Sequence, residues 1–326
     1  MPRSKNATAY GFRIVGPYTN DRRLIDWPSA FVAYSQCDDR AEVTKESYLS
    51  AFTFGDAFAD HLNATGSTKD YKDECFALWL WFDIDREHDI EAATTDARKL
   101  SAALVHRYGI DEDALLYFFS GSKGYHIGFP LSACGLPGPA AAFHTTCRRF
   151  AESIASHSGV AIDSSVYDRV RAFRAPNSRH PKTGRYKRYL SFDALMHLQT
   201  SRLIELAADP EPFEIPNATE PSELAVADWA AAVTSVEAEG KVARERNGGG
   251  NRSVLNRATL DFIREGATTG DRHRLLFSAA ANLAEFGCSI ELAMALLSEP
   301  ALDSGLSPSD VRRQIECGLK HRGATQ

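Results

Sequence analysis

The sequence predicts an α+β protein, with helices laid over a mixed or antiparallel sheet, followed by an all-helical C-terminal bundle. Three observations predict it. Residues 76–84 form a dense apolar run, long enough for a strand buried on both faces. Residues 90–108 repeat apolar side chains at helical spacing (Ile90, Ala93, Ala97, Leu100, Leu104, Tyr108), and Gly109 stands where a left-handed cap belongs. Beyond residue 252 the apolar residues fall in helical groups, namely Leu255, Leu260 and Phe262, then Leu275, Leu276, Phe277 and Leu283, then Leu292, Leu296 and Leu297.

The other elements follow in order. Residues 12–15 and 31–34 read as short strands. Residues 42–62 read as a helix packed over a sheet. Residues 115–119 and 125–129 are strands around the loop Ser120-Gly121-Ser122-Lys123-Gly124. A helix starts near Pro139, carries Phe143, Cys147, Phe150 and Ile154 inward, and ends near Gly159. Residues 160–162 read as a further strand. Strand, helix, hairpin, helix, strand is an α+β layer with helices on one face. Pro210, Pro212, Pro216 and Pro221 mark a boundary, so the expected division is a main domain over 1–208, a linker with a helix over 209–251, and a helical domain over 252–326. Gly248-Gly249-Gly250 reads as a flexible break.

The composition, 44% apolar and 25% charged over 326 residues, is that of a soluble globular chain. No run of about 18 apolar residues spans a membrane, and the polar N-terminus has no signal-peptide core, so the expected location is the cytoplasm. The net charge of -6 argues against a coat protein for nucleic acid. Local charge decides contact, however, and no acid interrupts the stretch from Arg169 to Arg188, which holds Arg171, Arg174, Arg179, Lys182, Arg185 and Lys187. None of Cys37, Cys75, Cys134, Cys147, Cys288 and Cys317 forms a CxxC pair, so no structural zinc is expected.

Three blocks carry chemistry. In Trp81-Phe82-Asp83-Ile84-Asp85 the two acids share one face of a strand, with Cα atoms about 6.5–7 Å apart. Two carboxylates about 4 Å apart repel by roughly 4 kcal/mol at an effective dielectric of 20. Such a pair needs a cation, a shared proton or ample solvent; magnesium suits it, although a strand end reaching water reads the same way. In Ser120-Gly121-Ser122-Lys123-Gly124-Tyr125-His126 two glycines expose backbone N–H groups as a phosphate nest. Ser122, Lys123 and His126 add donors, and an ordinary hairpin turn is the plain alternative. The third block runs from Asp163, at the end of an apolar stretch, through Arg174, His180 and Lys182 to Arg188. A basic surface loop after a strand is its plain reading.

The string Ser178-Arg179-His180-Pro181-Lys182-Thr183-Gly184-Arg185 resembles the S-x-H-x-K-T-G signature of the archaeo-eukaryotic primase small subunit. Asp83-Ile84-Asp85 is similar to that family's metal motif, Ser120 to His126 to its S-G-x-x-G-x-H motif, and Asp163 to its third catalytic aspartate, all in order over residues 76–190. The resemblance implies an RRM-like primase core. It also implies a DNA primase-polymerase that makes primers on a single-stranded DNA template from NTPs or dNTPs, in replication of a plasmid, phage or similar replicon. Asp83, Asp85 and Asp163 would hold Mg2+ or Mn2+. Ser120, Ser122, Lys123, Gly124, His126, Arg174 and His180 would bind the nucleotide. Arg171, Arg179, Lys182, Arg185 and Lys187 would follow template phosphates. The cysteine-rich zinc module frequent in the family is not evident, and no GxxxxGK[ST] loop occurs, so unwinding falls to a separate helicase. Other readings are a gap-filling polymerase that extends without initiating, and a non-catalytic single-strand binder, which has no use for strand-borne acids. A rolling-circle nicking enzyme needs a His-x-His pair that the chain lacks.

Overall fold

The computed structural model of the chain describes residues 9–248, 255–267 and 271–320. They divide into two compact units, Met1–Val242 and Ala243–Gln326. The first begins with strands β1 (Tyr10–Val15) and β2 (Arg23–Asp26), then helix α1 (Trp27–Ser35). Aromatic content reads residues 31–34 as a strand, but capping decides otherwise. The Asp26 carboxylate accepts from the Ser29 N–H at 3.0 Å, and Pro28 sits in the first turn, where a missing N–H does no harm. Residues 42–62 likewise do not form one helix. They give strand β3 (Ser47–Ser50), and Gly55 then caps helix α2 (Asp56–Thr65).

Strand β4 (Trp79–Asp85), helix α3 (Ile90–Tyr108), and strands β5 (Leu116–Phe119) and β6 (Gly124–Pro130) follow as expected, and helix α4 (Phe143–Ser158) begins four residues after the expected start near Pro139, because Ala140 is taken up by a β-bridge to Cys75. Residues 160–162 do not make a strand. A single backbone bond reaches β4 from this stretch, Asp163 N–H to the Asp83 carbonyl at 2.9 Å, and a 3-10 turn capped by Asp163 takes over. Strands β7 (Ala172–Arg174) and β8 (Arg188–Leu190) and helices α5 (Phe192–His197), α6 (Thr200–Leu206) and α7 (Glu223–Gly248) complete the run.

The strands form two antiparallel sheets, ordered β2-β1-β3-β7 and β4-β6-β5-β8. One face of the second sheet is covered by helices. Phe82, Ile84, Ile127 and Phe129 are fully buried there, beneath Ala97, Leu100 and Leu104 of α3. Burial of each large side chain contributes roughly 1.5–3 kcal/mol. The opposite face meets the first sheet and helix α1, with Trp81 against Phe173 of β7 (5.5 Å between ring centroids) and Phe31 of α1 (6.4 Å). The fold is thus α+β with antiparallel sheets, and the acids of β4 project into the seam between them.

The proline-rich stretch after residue 209 is not a linker. Phe213 stacks on Tyr189 at 4.7 Å, Trp229 packs on Phe143 and Phe150, and Asp228 pairs with Arg107 at 2.8 Å. Three anchors of this kind outweigh a composition that reads as a boundary.

The second unit is helical: α8 (Arg257–Glu265), α9 (Arg272–Ala284), α10 (Ile290–Asp303) and α11 (Pro308–Lys320). Phe262, Leu276, Leu283, Leu297 and Ile315 form its core, whereas Leu292, expected inside, faces solvent. Gly318 lets α11 approach α9 closely, since a Cβ there would lie 2.6 Å from Ala280 Cβ. Of the glycine break, residues 249 and 250 lie outside the described residues, as do Arg252, Gly270 and His321.

Candidate active site

The site is built on β4. Alternation turns Phe82 and Ile84 toward the helices and leaves Asp83 and Asp85 on the other face. Across the ladder Asp83 is opposite His126, and Asp85 is opposite Gly124. His126 Nε2 lies 3.6 Å from Asp83 Oδ1, and Lys123 Nζ lies 3.2 Å from Asp85 Oδ2. Sequence spacing alone could not bring the first two motifs together; the antiparallel register does.

The loop between β5 and β6 is tied from within. Ser120 Oγ accepts from the Ser122 N–H at 3.4 Å and the Gly124 N–H at 3.2 Å, so Ser120 organises the turn while Ser122 and Lys123 reach solvent. Gly121 has φ +85°, a conformation suited to glycine. At Gly124 any side chain collides, because a Cβ would lie 2.1 Å from the Ile84 carbonyl oxygen and 2.3 Å from Asp85 Oδ1. Gly124→Ala is therefore expected to lower stability by about 1–3 kcal/mol and to displace Asp85. A urea melt reads the first effect, and loss of nucleotide incorporation reads the second.

Asp163 stands beside Asp83 through its backbone bond, but its carboxylate is held by the Ser165 N–H and hydroxyl, both at 2.8 Å. Tyr167 anchors that turn by donating to the Trp81 carbonyl at 2.7 Å. Among the described residues no group of three His, Cys, Asp or Glu side chains is arranged to hold an ion. The expected meeting of three acids is thus only partly formed. Asp83 and Asp85 share a face, while the third carboxylate is turned to cap its own helix.

The electrostatics nonetheless suit a cation. Burial first, then the Asp85 and Asp163 charges, push the Asp83 carboxyl up to about 7. Asp83 Oδ1 is buried and accepts no hydrogen bond. A desolvated carboxylate oxygen that accepts no hydrogen bond, with two further carboxylates near it, lacks what a divalent ion supplies. His126 is 6% exposed and lies against the Phe173 ring, 4.2 Å between centroids. Burial, then the Lys187 and Arg174 charges, hold its imidazole well below the usual range, so the ring is neutral.

The third block closes the site from the first sheet. Arg174 pairs with Tyr48 across β7 and β3, its guanidinium 5.1 Å from the Tyr48 ring centroid. The Tyr48 hydroxyl in turn donates to Glu46. His180 Nδ1 accepts from the Lys182 and Thr183 N–H groups at 3.2 and 3.3 Å, which leaves its other nitrogen as the donor. Burial first, then Arg174, lower its imidazole to about 4. Thr183 Oγ1 donates to the Gly121 carbonyl at 2.6 Å and so joins this loop to the glycine loop.

The residues expected on template phosphates separate. Arg179 and Lys182 are exposed and Arg185 is half-buried. Arg171 acts electrostatically on Asp83. Lys187 is 1% exposed and cannot meet a phosphate backbone. Tyr48 and Glu46 were not found from the sequence. They lie in no motif, and only the pairing of β3 with β7 brings them beside Arg174.

Residues 82–192 match the DNA primase small subunit family model. No curated protein sequence matches the chain. Among solved structures the chain is similar to primase RepB', at 12% identity and a TM-score of 0.34 over 98% of this chain and 95% of that one. It is also similar to the polymerase domain of Mycobacterium tuberculosis Ligase D in complex with DNA, at 16% identity and a TM-score of 0.34 over 61% of this chain and 75% of that one. All three motif blocks, from Asp83 to Arg188, fall inside the matched segment, and over that segment the chain is similar to the DNA primase small subunit, as its motifs imply.

Proposed function

We propose that the protein is a primase-polymerase that joins nucleotides on a single-stranded DNA template. The observation that carries this reading is the buried, unpartnered Asp83 Oδ1, on the same strand face as Asp85 and next to a glycine loop whose donors face solvent. Asp83 and Asp85, with Asp163 alongside, would hold Mg2+ or Mn2+. Such an ion, when bound, lowers the pKa of an attacking 3′-hydroxyl and neutralises charge on a triphosphate.

The chain's own residues position the reactants. The Ser122 and Lys123 end of the loop supplies donors for phosphate oxygens, and the ammonium of Lys123, now paired with Asp85, is free to exchange that partner for a phosphate. Arg174, on β7, and the donor nitrogen of His180, in the loop that Thr183 ties to the glycine turn, would add further donors for the nucleotide. His126, held neutral, offers a hydrogen bond without adding charge beside the acids. In-line phosphoryl transfer of this kind depends mainly on positioning and charge stabilisation. Arg179, Lys182 and Arg185, on the outside of the loop, follow the template backbone. A separate helicase would supply single strands, and the setting is replication of a plasmid, phage or similar replicon. Among the described residues no helix is long and apolar enough to cross a membrane.

The test is incubation of the protein with unprimed single-stranded DNA, labelled NTPs or dNTPs, and Mg2+ or Mn2+. Oligonucleotide products are expected. Extension of added primers without products on bare template would indicate the gap-filling alternative. No incorporation in either arm, with template still bound, would leave a single-strand binder and end the polymerase reading.

A further inference from the structure

Lys187 belongs to the basic run but not to its surface. Its side chain is 1% exposed, its ammonium lies 4.5 Å from the Phe173 ring centroid, 4.7 Å from Phe118 and 5.0 Å from Trp81, and it donates to the Arg174 carbonyl at 2.8 Å. The backbone around it is equally fixed. The Lys187 N–H donates to the Ser178 carbonyl at 3.0 Å, and its carbonyl accepts from the Asn177 N–H at 2.9 Å. A buried ammonium is unfavourable unless its charge and donors are met. Three ring faces, one carbonyl and the nearby charge of Asp83 meet them in part, and burial still makes the ammonium easier to deprotonate than an exposed lysine.

The partners come from both sheets. Trp81 is on β4 and Phe118 on β5, in the sheet that carries the acids. Phe173 and the Arg174 carbonyl are on β7, in the sheet that carries Arg174 itself. The same Phe173 ring lies against His126. Were the cavity merely apolar, a leucine or methionine would fill it without the penalty of burying a charge. A lysine there bonds the β7 backbone directly.

The geometry points to Lys187 as a positioning residue that pins β7 across the seam and so sets Arg174 and His126 at their working distance from Asp83. This rests on the polymerase reading for its kinetic consequence, but not for its structural one. Lys187 acts through Arg174 and His126, and through its charge on Asp83, and touches neither substrate nor template.

The test compares Lys187→Met and Lys187→Arg with the wild-type chain. Three quantities are read: KM and kcat for the nucleotide in primer extension, affinity for single-stranded DNA by anisotropy, and amide hydrogen exchange over residues 172–175 without nucleotide. Lys187→Met is expected to raise the nucleotide KM about tenfold, equivalent to ~1.4 kcal/mol, to speed exchange in β7, and to leave DNA affinity within about twofold of wild type. Lys187→Arg, which keeps the charge and a donor to the carbonyl, is expected to recover most of the KM. Wild-type KM and exchange in Lys187→Met would overturn the assignment. So would a loss of DNA affinity as large as the KM change, which would return Lys187 to a template contact. Should Lys187→Met melt far below wild type, Phe173→Leu removes one wall of the box and carries the same test: higher nucleotide KM at unchanged DNA affinity, with no change in KM counting against the role. If the wild-type chain incorporates no nucleotide, the polymerase reading fails, and exchange in β7 alone decides for or against Lys187.

Discussion

Replacing Asp83 and Asp85 together with alanine is expected to reduce nucleotide incorporation by at least about a thousandfold while the chain stays folded. The magnitude follows from losing charge stabilisation of several kcal/mol at the reacting phosphate, at one factor of ten per ~1.4 kcal/mol. Folding survives because neither carboxylate holds a hydrogen bond within the core, and Lys187, which feels the Asp83 charge, keeps its rings and its carbonyl partner. Asp83 Oδ1 has no hydrogen bond, and Asp85 holds only the exposed Lys123. Removing two like charges from one strand face also relieves repulsion. The measurement is primer extension together with a circular-dichroism melt. Incorporation at the wild-type rate in a folded double variant would falsify the assignment of β4 as the metal-facing strand.

The second large effect is on stability. Burial, then the Asp85 and Asp163 charges, push the Asp83 carboxyl from an ordinary 3.8 up to about 7, with His126, Lys187 and Arg171 as the other charged or titratable groups around it. The folded state therefore holds a proton that the unfolded chain has already released between about pH 4 and pH 7. Where the unfolded state binds fewer protons, stability falls as pH rises. In the chelator-treated protein Asp83 is thus expected to cost up to roughly 4 kcal/mol across that window. His126 and His180 oppose it, because their lowered imidazoles make stability rise with pH over part of the window. The Asp83 contribution is therefore read as the difference between wild type and Asp83→Asn. Mg2+ or Mn2+ should raise the urea midpoint at about pH 8 and have little effect at about pH 5, where Asp83 is protonated. Asp83→Asn should remove the Asp83 component, so that the variant gains stability relative to wild type as pH rises from about 4 to about 7, and should abolish the response to the ion. A variant with the same slope as wild type, or a midpoint indifferent to divalent ions at pH 8, would count against a cation beside Asp83.

Much of this was legible in the sequence because it is local. The apolar run of β4 and the 3.6-residue period of α3 each depend on neighbours a few residues away, and both elements form as expected. The glycine loop was legible because its backbone requirement is written in Gly121 and Gly124. Long-range facts were not. Residues 31–34 carry strand-like aromatics, yet Asp26 and Pro28 start a helix across them. Residues 209–221 carry a linker's prolines, yet Phe213 finds Tyr189 and Phe118. Lys187 sits in a run of cations whose members differ only in the direction they face, and direction is set by which strands pair. The side-chain placement of Asp163 was illegible for a similar reason. Its spacing fits a ligand, but Ser165, two residues on, offers it a nearer partner.

The bond from Thr183 Oγ1 to the Gly121 carbonyl makes one mechanical unit of two loops more than sixty residues apart in sequence. Whatever seats itself against the first is felt by the second, without passage through the sheets beneath. A small molecule steadying the glycine turn would thereby stiffen the basic hairpin on whose outer side Arg179 and Lys182 stand. Occupancy at one end would then be communicated to the other through that hydroxyl and through the close packing of Gly121 on the Arg185 and Tyr186 backbone.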